Sequence, residues 1–325
     1  MTLRKTPLRM QLNTFYSGPQ AWFFLADARG YLRDEGLAIT FTEGDTAANT
    51  IPKMAGGGFD VGYGDLNALI EHAAAGLLNA PLAVFASYNA SPYTIAVPKV
   101  SPIRQPAELA GKLLAAHPND AAHRLFPEFC ARTGLDPASV RTDISATPHS
   151  EMVLDLLLAR WDGLFGFVNT LVAASIDAGL VPQDKLHFIE YHDHVPELYG
   201  MALMVSRELA TTEPDTVRAL LRALNRGLRD TVADPDAAID ALAQRNPAMN
   251  RDSNRRRLLG TLQLEMGRAE GAVLGIGDLD DARFDRGIEL IVQTKQLPHR
   301  PAVGDLFSRA FLPPLGERVR NLVRA

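Results

Sequence analysis

The sequence predicts an α/β protein of two lobes, each a mostly parallel sheet flanked by helices. Three observations carry this. The 325 residues exceed one comfortable core. Short apolar runs alternate with amphipathic stretches, as crossover helices between parallel strands require. That alternation also passes through two full cycles before giving way to a run of helices.

The first cycle reads as strands over 8–13, 38–43, 59–62, 82–88 and 93–98, with helices over 20–36, 47–56 and 67–75 between them. One sheet is thus complete near residue 98. Ser101-Pro102-Ile103 reads as a turn. The second cycle follows with strands over 112–116, 140–144 and 163–167 and helices over 120–133 and 150–159, closing near residue 190. Residues 201–205, Met-Ala-Leu-Met-Val, are too apolar for a loop and too short for a helix, so they read as a return strand. Helices over 214–230, 234–244, 253–266 and 281–294 complete the chain. The expected lobes are 1–98 with 201–325, and 101–194. Two hinge crossings are expected near 97–101 and 195–201, with a ligand cleft between the lobes.

Composition narrows the function classes. With 33 Lys and Arg against 38 Asp and Glu, the net charge is −5, and no basic run could neutralise a phosphate backbone. Nucleic acid is not an expected partner. Arg255, Arg256 and Arg257 read as a solvated helix face. Cys130 is the single cysteine, which excludes an internal disulfide and any multi-cysteine metal site, and its apolar setting reads as a buried, inert thiol. No apolar stretch approaches the ~18 residues of a membrane span. The first residues carry no signal-peptide apolar region, so the expectation is a periplasmic protein whose leader has been removed, or a cytoplasmic one if the sequence is complete.

Ligands of open α/β sheets bind beyond the carboxyl ends of strands. The tips there are polar and aromatic: Asn13, Tyr16 and Trp22 after the first strand, Tyr63, Asp65 and Asn67 after the third, Tyr88 and Asn89 after the fourth. The second lobe supplies His117, Asn119, Asp120 and His123, then Thr147, His149 and Ser150, then Phe165 and Asn169, with Tyr191 and Tyr199 toward the return crossing. Five of seven tyrosines fall at such tips, which suits stacking on a flat ring. The tips hold no Lys and no Arg except Arg124, so a neutral or weakly cationic aromatic solute fits better than a free anion. In this reading Tyr16, Trp22, Tyr63, Tyr88 and Tyr191 hold the ring, with polar help from Asn13, Asp65 and Asn89. Asp65 accepts a hydrogen bond from the ligand or, as a structural alternative, caps the helix after it. A small anion held by backbone amides around 147–150 is the other ligand reading.

Catalysis finds little footing. There is no G-x-x-x-x-G-K-[ST] and no G-x-S-x-G, and Gly56-Gly57-Gly58 reads as a turn before a strand. The rival is Glu190-Tyr191-His192-Asp193-His194: if it is extended, Glu190, His192 and His194 share a face that could bind zinc or iron. The alternative is an exposed polar crossover.

Trp22-Phe23-Phe24-Leu25-Ala26-Asp27-Ala28-Arg29-Gly30-Tyr31-Leu32-Arg33-Asp34-Glu35-Gly36-Leu37 resembles the first helix and turn of binding proteins for sulfonates, nitrate and thiamine-pyrimidine precursors, where a run like A-x-x-x-G-Y-F-x-x-E-G-L recurs. Ile51 to Gly62 and Leu156 to Gly163 are each similar to that family's L-x-x-G-x-x-D-x-G/A element, and Ser308-Arg309-Ala310-Phe311-Leu312-Pro313-Pro314 resembles its ending. The resemblance implies the periplasmic-binding-protein fold and the solute-binding role in an ABC importer, with a membrane permease and an ATPase as partners. A monomer with no cofactor and no enzymatic activity is expected. Family members carry a secretion signal or lipid-anchor cysteine, and neither is present in this sequence. A fungal branch makes the thiamine pyrimidine with iron and a cysteine-rich motif, which a single cysteine does not match.

Overall fold

The computed structural model describes residues 6–320 and Leu322. It contains two five-stranded sheets. In the first, β1 (Thr6–Gln11), β2 (Leu37–Thr42), β3 (Val61–Asp65), β4 (Leu82–Ala86) and β10 (Met201–Val205) lie in the order β2-β1-β3-β10-β4. Strand β1 runs parallel to β2 and β3, and β10 is antiparallel to both neighbours. The second sheet has the order β7-β6-β8-β5-β9, from β5 (Tyr93–Pro98), β6 (Leu113–Ala116), β7 (Arg141–Ile144), β8 (Gly163–Phe167) and β9 (Leu186–Glu190). Its β5 is antiparallel to β8 and β9, whereas β6 is parallel to β7 and β8.

Two compact units follow: Ser91–Leu198, and the remainder of the chain. Strand β5 therefore does not complete the first sheet as its position in the sequence suggests. Both faces of β5 are buried and its hydrogen bonds go to β8 and β9, so the first crossing lies at Ala90/Ser91 rather than 97–101. Strand β9 and the helix Val168–Asp177 have no counterpart in the sequence reading. Leu-His-Phe-Ile-Glu is short and mixed in character, and only its pairing with β5 makes it a strand.

In the first unit the helix Ala21–Ala28 buries every residue from Ala21 to Ala26, because it packs on the helices Pro214–Ala233 and Pro235–Arg245 as well as on its own sheet. Close approach depends on Gly227, where a Cβ would sit 2.6 Å from Ala26 Cβ and 2.7 Å from the Trp22 carbonyl oxygen. The helix expected over 20–36 is broken at Gly30, whose φ of 77° ends one segment and starts another, Tyr31–Asp34. The segment expected as one helix over 253–266 is instead an α-helix, Arg251–Gly260, continued by a π-helical turn, Thr261–Glu265. The second unit packs Met152, Val153, Leu156, Trp161, Leu164 and Leu171 into its core, and Trp161 Nε1 donates to Asp143 at 2.8 Å. Cys130 is buried there, and burial foremost, then Asp136 and Glu128, pushes its thiol up to about 12.

Candidate functional site

The carboxyl ends of β1 to β4 and the start of β10 meet at one end of the first unit. Asn13, after β1, donates to the Met201 sulfur at 3.8 Å and accepts from the Gln20 amide, which also reaches the Thr14 hydroxyl. Tyr16 is half-buried and tied down: its N–H donates to Glu43 at 2.7 Å and its hydroxyl to the Phe41 carbonyl at 2.8 Å. Burial first, then Glu43, raises its pKa. The Tyr16-Ser17-Gly18 turn is held against the helix Arg251–Gly260 by Gly18 N–H donating to Asn254 Oδ1 at 2.7 Å.

Behind this loop lies an aromatic cluster. Trp22 is fully buried, 3.8 Å from Phe23 between ring centroids, with Tyr63 and Phe85 near 6 Å. Its indole N–H has no partner among the described residues. A hydrogen-bond chain leads away from Tyr63: its hydroxyl and that of Ser87 are 2.9 Å apart, and Ser87 donates to the Met201 carbonyl at 2.8 Å. Tyr63 and Tyr88 meet edge to face at 6.4 Å.

Beside Tyr88 stands Glu265, the last residue of the π turn, only 3% exposed. Burial pushes its carboxyl up to about 7, against the opposing pull of the Thr261 and Tyr88 hydroxyls that bond it and of the Arg257 cation. Its Oε2 has no partner among the described residues. The Glu265 carbonyl accepts from Ala90 N–H at 3.1 Å, which fixes the turn to the segment after β4. Asn89, beside it, accepts from Arg268 N–H at 3.3 Å, while its Nδ2 is buried with no partner among the described residues. Arg257 also lies 5.7 Å over the ring of Phe15, which is 56% exposed. π turns insert an extra residue into a helix and recur at functional sites.

Several expected contacts are corrected by burial. Tyr63, Tyr191 and Tyr199 have no exposed surface, and their hydroxyls are spent within the protein. Tyr199 donates to Glu270 at 2.7 Å, accepts from Asp280 N–H at 3.0 Å, and lies 3.9 Å under the Arg283 guanidinium, which in turn bonds Glu270 and the Asn89 carbonyl. Tyr191 donates to the Ala122 carbonyl and stacks on Phe129 at 4.6 Å. Phe165 is core, edge-on to Phe126. These rings are framework rather than stacking platforms. Asp65 is fully buried and caps the helix Leu66–Ala74, accepting from Asn67 N–H at 2.8 Å and its amide at 3.0 Å; Asn67 also donates to the Tyr199 carbonyl. The capping alternative is therefore the one present.

The second unit has its own polar end. The His117 and His149 rings stack at 5.2 Å, and His123 packs at 5.2 Å on Phe165 with its pKa lowered by burial. Asp120 accepts from Ala122 and His123 N–H, and burial nonetheless pushes its carboxyl up to about 6. Asn119 is exposed with φ 60°, and Asn169 is buried at the start of Val168–Asp177. The 190–194 run is not extended. Tyr191–His194 forms a helical turn, and His192 faces Glu190 at 3.2 Å and Asp193 at 3.1 Å, so the strand geometry that would align Glu190, His192 and His194 is lost. Among the described residues no group of three His, Cys, Asp or Glu is placed to hold a metal ion.

The sequence reading missed Glu265, Thr261 and Arg257. A signal exists: Leu258, Leu262 and Glu265 share helical spacing, which puts a carboxylate on an apolar stripe. It also set the absence of Lys and Arg at the tips against an anion, yet Arg257 reaches this end from a helical segment remote in sequence.

The NMT1/THI5-like family model matches residues 20–238. The chain belongs to that family. No curated protein matches it. Among solved structures, the NMT1/THI5-like chain is similar to the alkanesulfonate-binding protein from Xanthomonas axonopodis pv. citri bound to MOPS, with TM-score 0.66 and 20% identity over 94% of this chain and 98% of that one. The periplasmic aliphatic sulphonate binding protein of Escherichia coli gives 0.67 and 16% over 92% and 96%. A Candida albicans gene product described as having the generic periplasmic binding protein fold gives 0.62 and 13% over 91% and 92%. At these identities the likeness establishes the fold, two α/β units of periplasmic-binding-protein type.

Proposed function

We propose that this protein is the solute-binding component of an ABC importer. It works in the periplasm as a monomer with a membrane permease and an ATPase, and it captures a small nitrogen heterocycle of the thiamine-pyrimidine-precursor kind without transforming it. Family membership and fold support the solute-binding part. No helix among the described residues is long and apolar enough to cross a membrane, which fits a partner rather than a permease.

One observation carries the ligand class. Among the described residues, the buried polar atoms without partners at the sheet end of the first unit include two donors, Trp22 Nε1 and Asn89 Nδ2, the Ser17 hydroxyl, and one carboxyl oxygen, Glu265 Oε2. Unsatisfied buried polar atoms each cost about 1–3 kcal/mol. A ring with both acceptor nitrogens and an N–H is chemically complementary to the two donors and the carboxyl oxygen. A sulfonate offers acceptors only and brings a second negative charge to a buried acid. The sulfonate reading keeps support from Arg257 on the same segment and from the ligands of the structural neighbours.

A thermal-shift panel of a hydroxymethyl aminopyrimidine, ethanesulfonate and nitrate at pH 8 separates these. Ligand at about 100 times its dissociation constant stabilises by about 2.7 kcal/mol. The aminopyrimidine should raise the melting temperature and the two anions should not. A shift with ethanesulfonate alone contradicts the heterocycle assignment.

A further inference from the structure

Glu265 is 3% exposed and sits where an ordinary helix would not have put it. The π turn delivers its carboxyl between hydroxyls from its own turn and from the segment after β4: Thr261 and Tyr88. Hydrogen bonds from these hydroxyls hold the group without exhausting it, because Oε2 has no partner among the described residues. An acid placed only for stability would have its second oxygen paired or be replaced by an apolar residue of similar size. The titratable and charged groups facing it are Tyr88 from the segment after β4, Tyr63 from β3 and Arg257 from the preceding helix. Neither tyrosine ionises near neutrality, since burial raises both far above the ordinary range. Arg257 is the single cation among them.

Resting on the nitrogen-heterocycle reading, we propose that Glu265 is the specificity-determining contact of the first unit. Its Oε2 accepts a hydrogen bond from an amino or ring N–H of the solute, and Tyr88 and Thr261 act as positioning residues for it. The carboxylate form makes the charge-assisted bond, so the ligand selects that form. Because burial holds the carboxyl near 7, the ionised fraction climbs from about a tenth at pH 6 to about nine tenths at pH 8. Affinity for an N–H donor rises with it. A sulfonate meets the opposite dependence, because only the protonated acid can donate to it.

The test is titration calorimetry with a hydroxymethyl aminopyrimidine and with ethanesulfonate, from pH 6 to pH 8, on the wild type, Glu265→Gln and Tyr88→Phe. The wild type should bind the aminopyrimidine about tenfold more tightly at pH 8 than at pH 6. Glu265→Gln should bind it roughly ten- to a hundredfold more weakly at pH 8, with no pH dependence. Tyr88→Phe keeps Oε2 but removes a hydroxyl that favours the ionised form, so its affinity should climb at higher pH than the wild type's. That displacement distinguishes positioning from mere packing and serves if the Gln variant folds poorly. Equal affinity of Glu265→Gln and wild type for the aminopyrimidine, or a flat wild-type profile, overturns the inference while leaving solute binding intact. Failure of the wild type to bind the aminopyrimidine at any pH overturns both the inference and the heterocycle reading.

Discussion

Glu265→Gln is expected to stabilise the protein at pH 8 by about 3 kcal/mol relative to its effect at pH 4.5. The folded protein holds the Glu265 proton more tightly than the unfolded chain does, its carboxyl rising from an ordinary 4.5 to about 7. Each tenfold in proton affinity is worth about 1.4 kcal/mol. The contribution of the neutral acid is therefore fully present below pH 4.5 and is lost as pH rises through 7. Glutamine keeps the shape and the bonds to Thr261 and Tyr88 but never ionises, so the loss disappears with it. Urea denaturation at pH 4.5, 6 and 8 measures the difference. A gap between variant and wild type that does not widen with pH contradicts the buried-acid account. Stability gained at the expense of affinity is the pattern expected where a site, rather than the core, requires the group.

Gly18→Ala should cost about 2–4 kcal/mol, far more than an ordinary loop substitution. A Cβ on Gly18 would stand 2.0 Å from the Asn254 carbonyl oxygen, 2.9 Å from its carbonyl carbon and 3.0 Å from Leu258 N. All three are helix backbone and cannot swing aside, so the loop after β1 must lift off the helix Arg251–Gly260. That lift breaks the Gly18 N–H bond to Asn254 and separates the loop bearing Asn13 and Tyr16 from the segment bearing Arg257 and Glu265. Aminopyrimidine affinity should fall together with stability. Asn254→Ala, which removes the bond without adding bulk, should cost about 1–2 kcal/mol. Equal losses in the two variants would show that the hydrogen bond matters and the close approach does not.

Most of the fold was legible because parallel β-α units announce themselves locally. β1, β2, β3, β8 and β10 each pair an apolar run with flanking turn chemistry, and helices such as Asp281–Thr294 show a clean stripe. What was not legible depends on partners remote in sequence. Strand β5 reads like any buried strand, and nothing within Tyr93–Pro98 tells that β8 and β9, rather than β4, take its hydrogen bonds. The side chains expected at the strand ends differ in what the structure asks of them. Turn-forming Asn, Tyr and Asp do cluster at the strand ends, but Tyr63, Asp65 and Tyr199 are consumed by the framework there. The group proposed as the ligand contact, Glu265, comes from what reads as an amphipathic helix. Its π turn has no sequence signature beyond a carboxylate at an apolar phase.

Native mass spectrometry of the protein purified without added ligand, followed by release and identification of what it carries, reads out the ligand class and the binding role together. One small nitrogen heterocycle per chain is expected, still bound at pH 8, lost on acidification to pH 6, and recovered unchanged after prolonged incubation. A bound sulfonate would contradict the ligand class, and recovery of a transformed product would contradict the binding role itself.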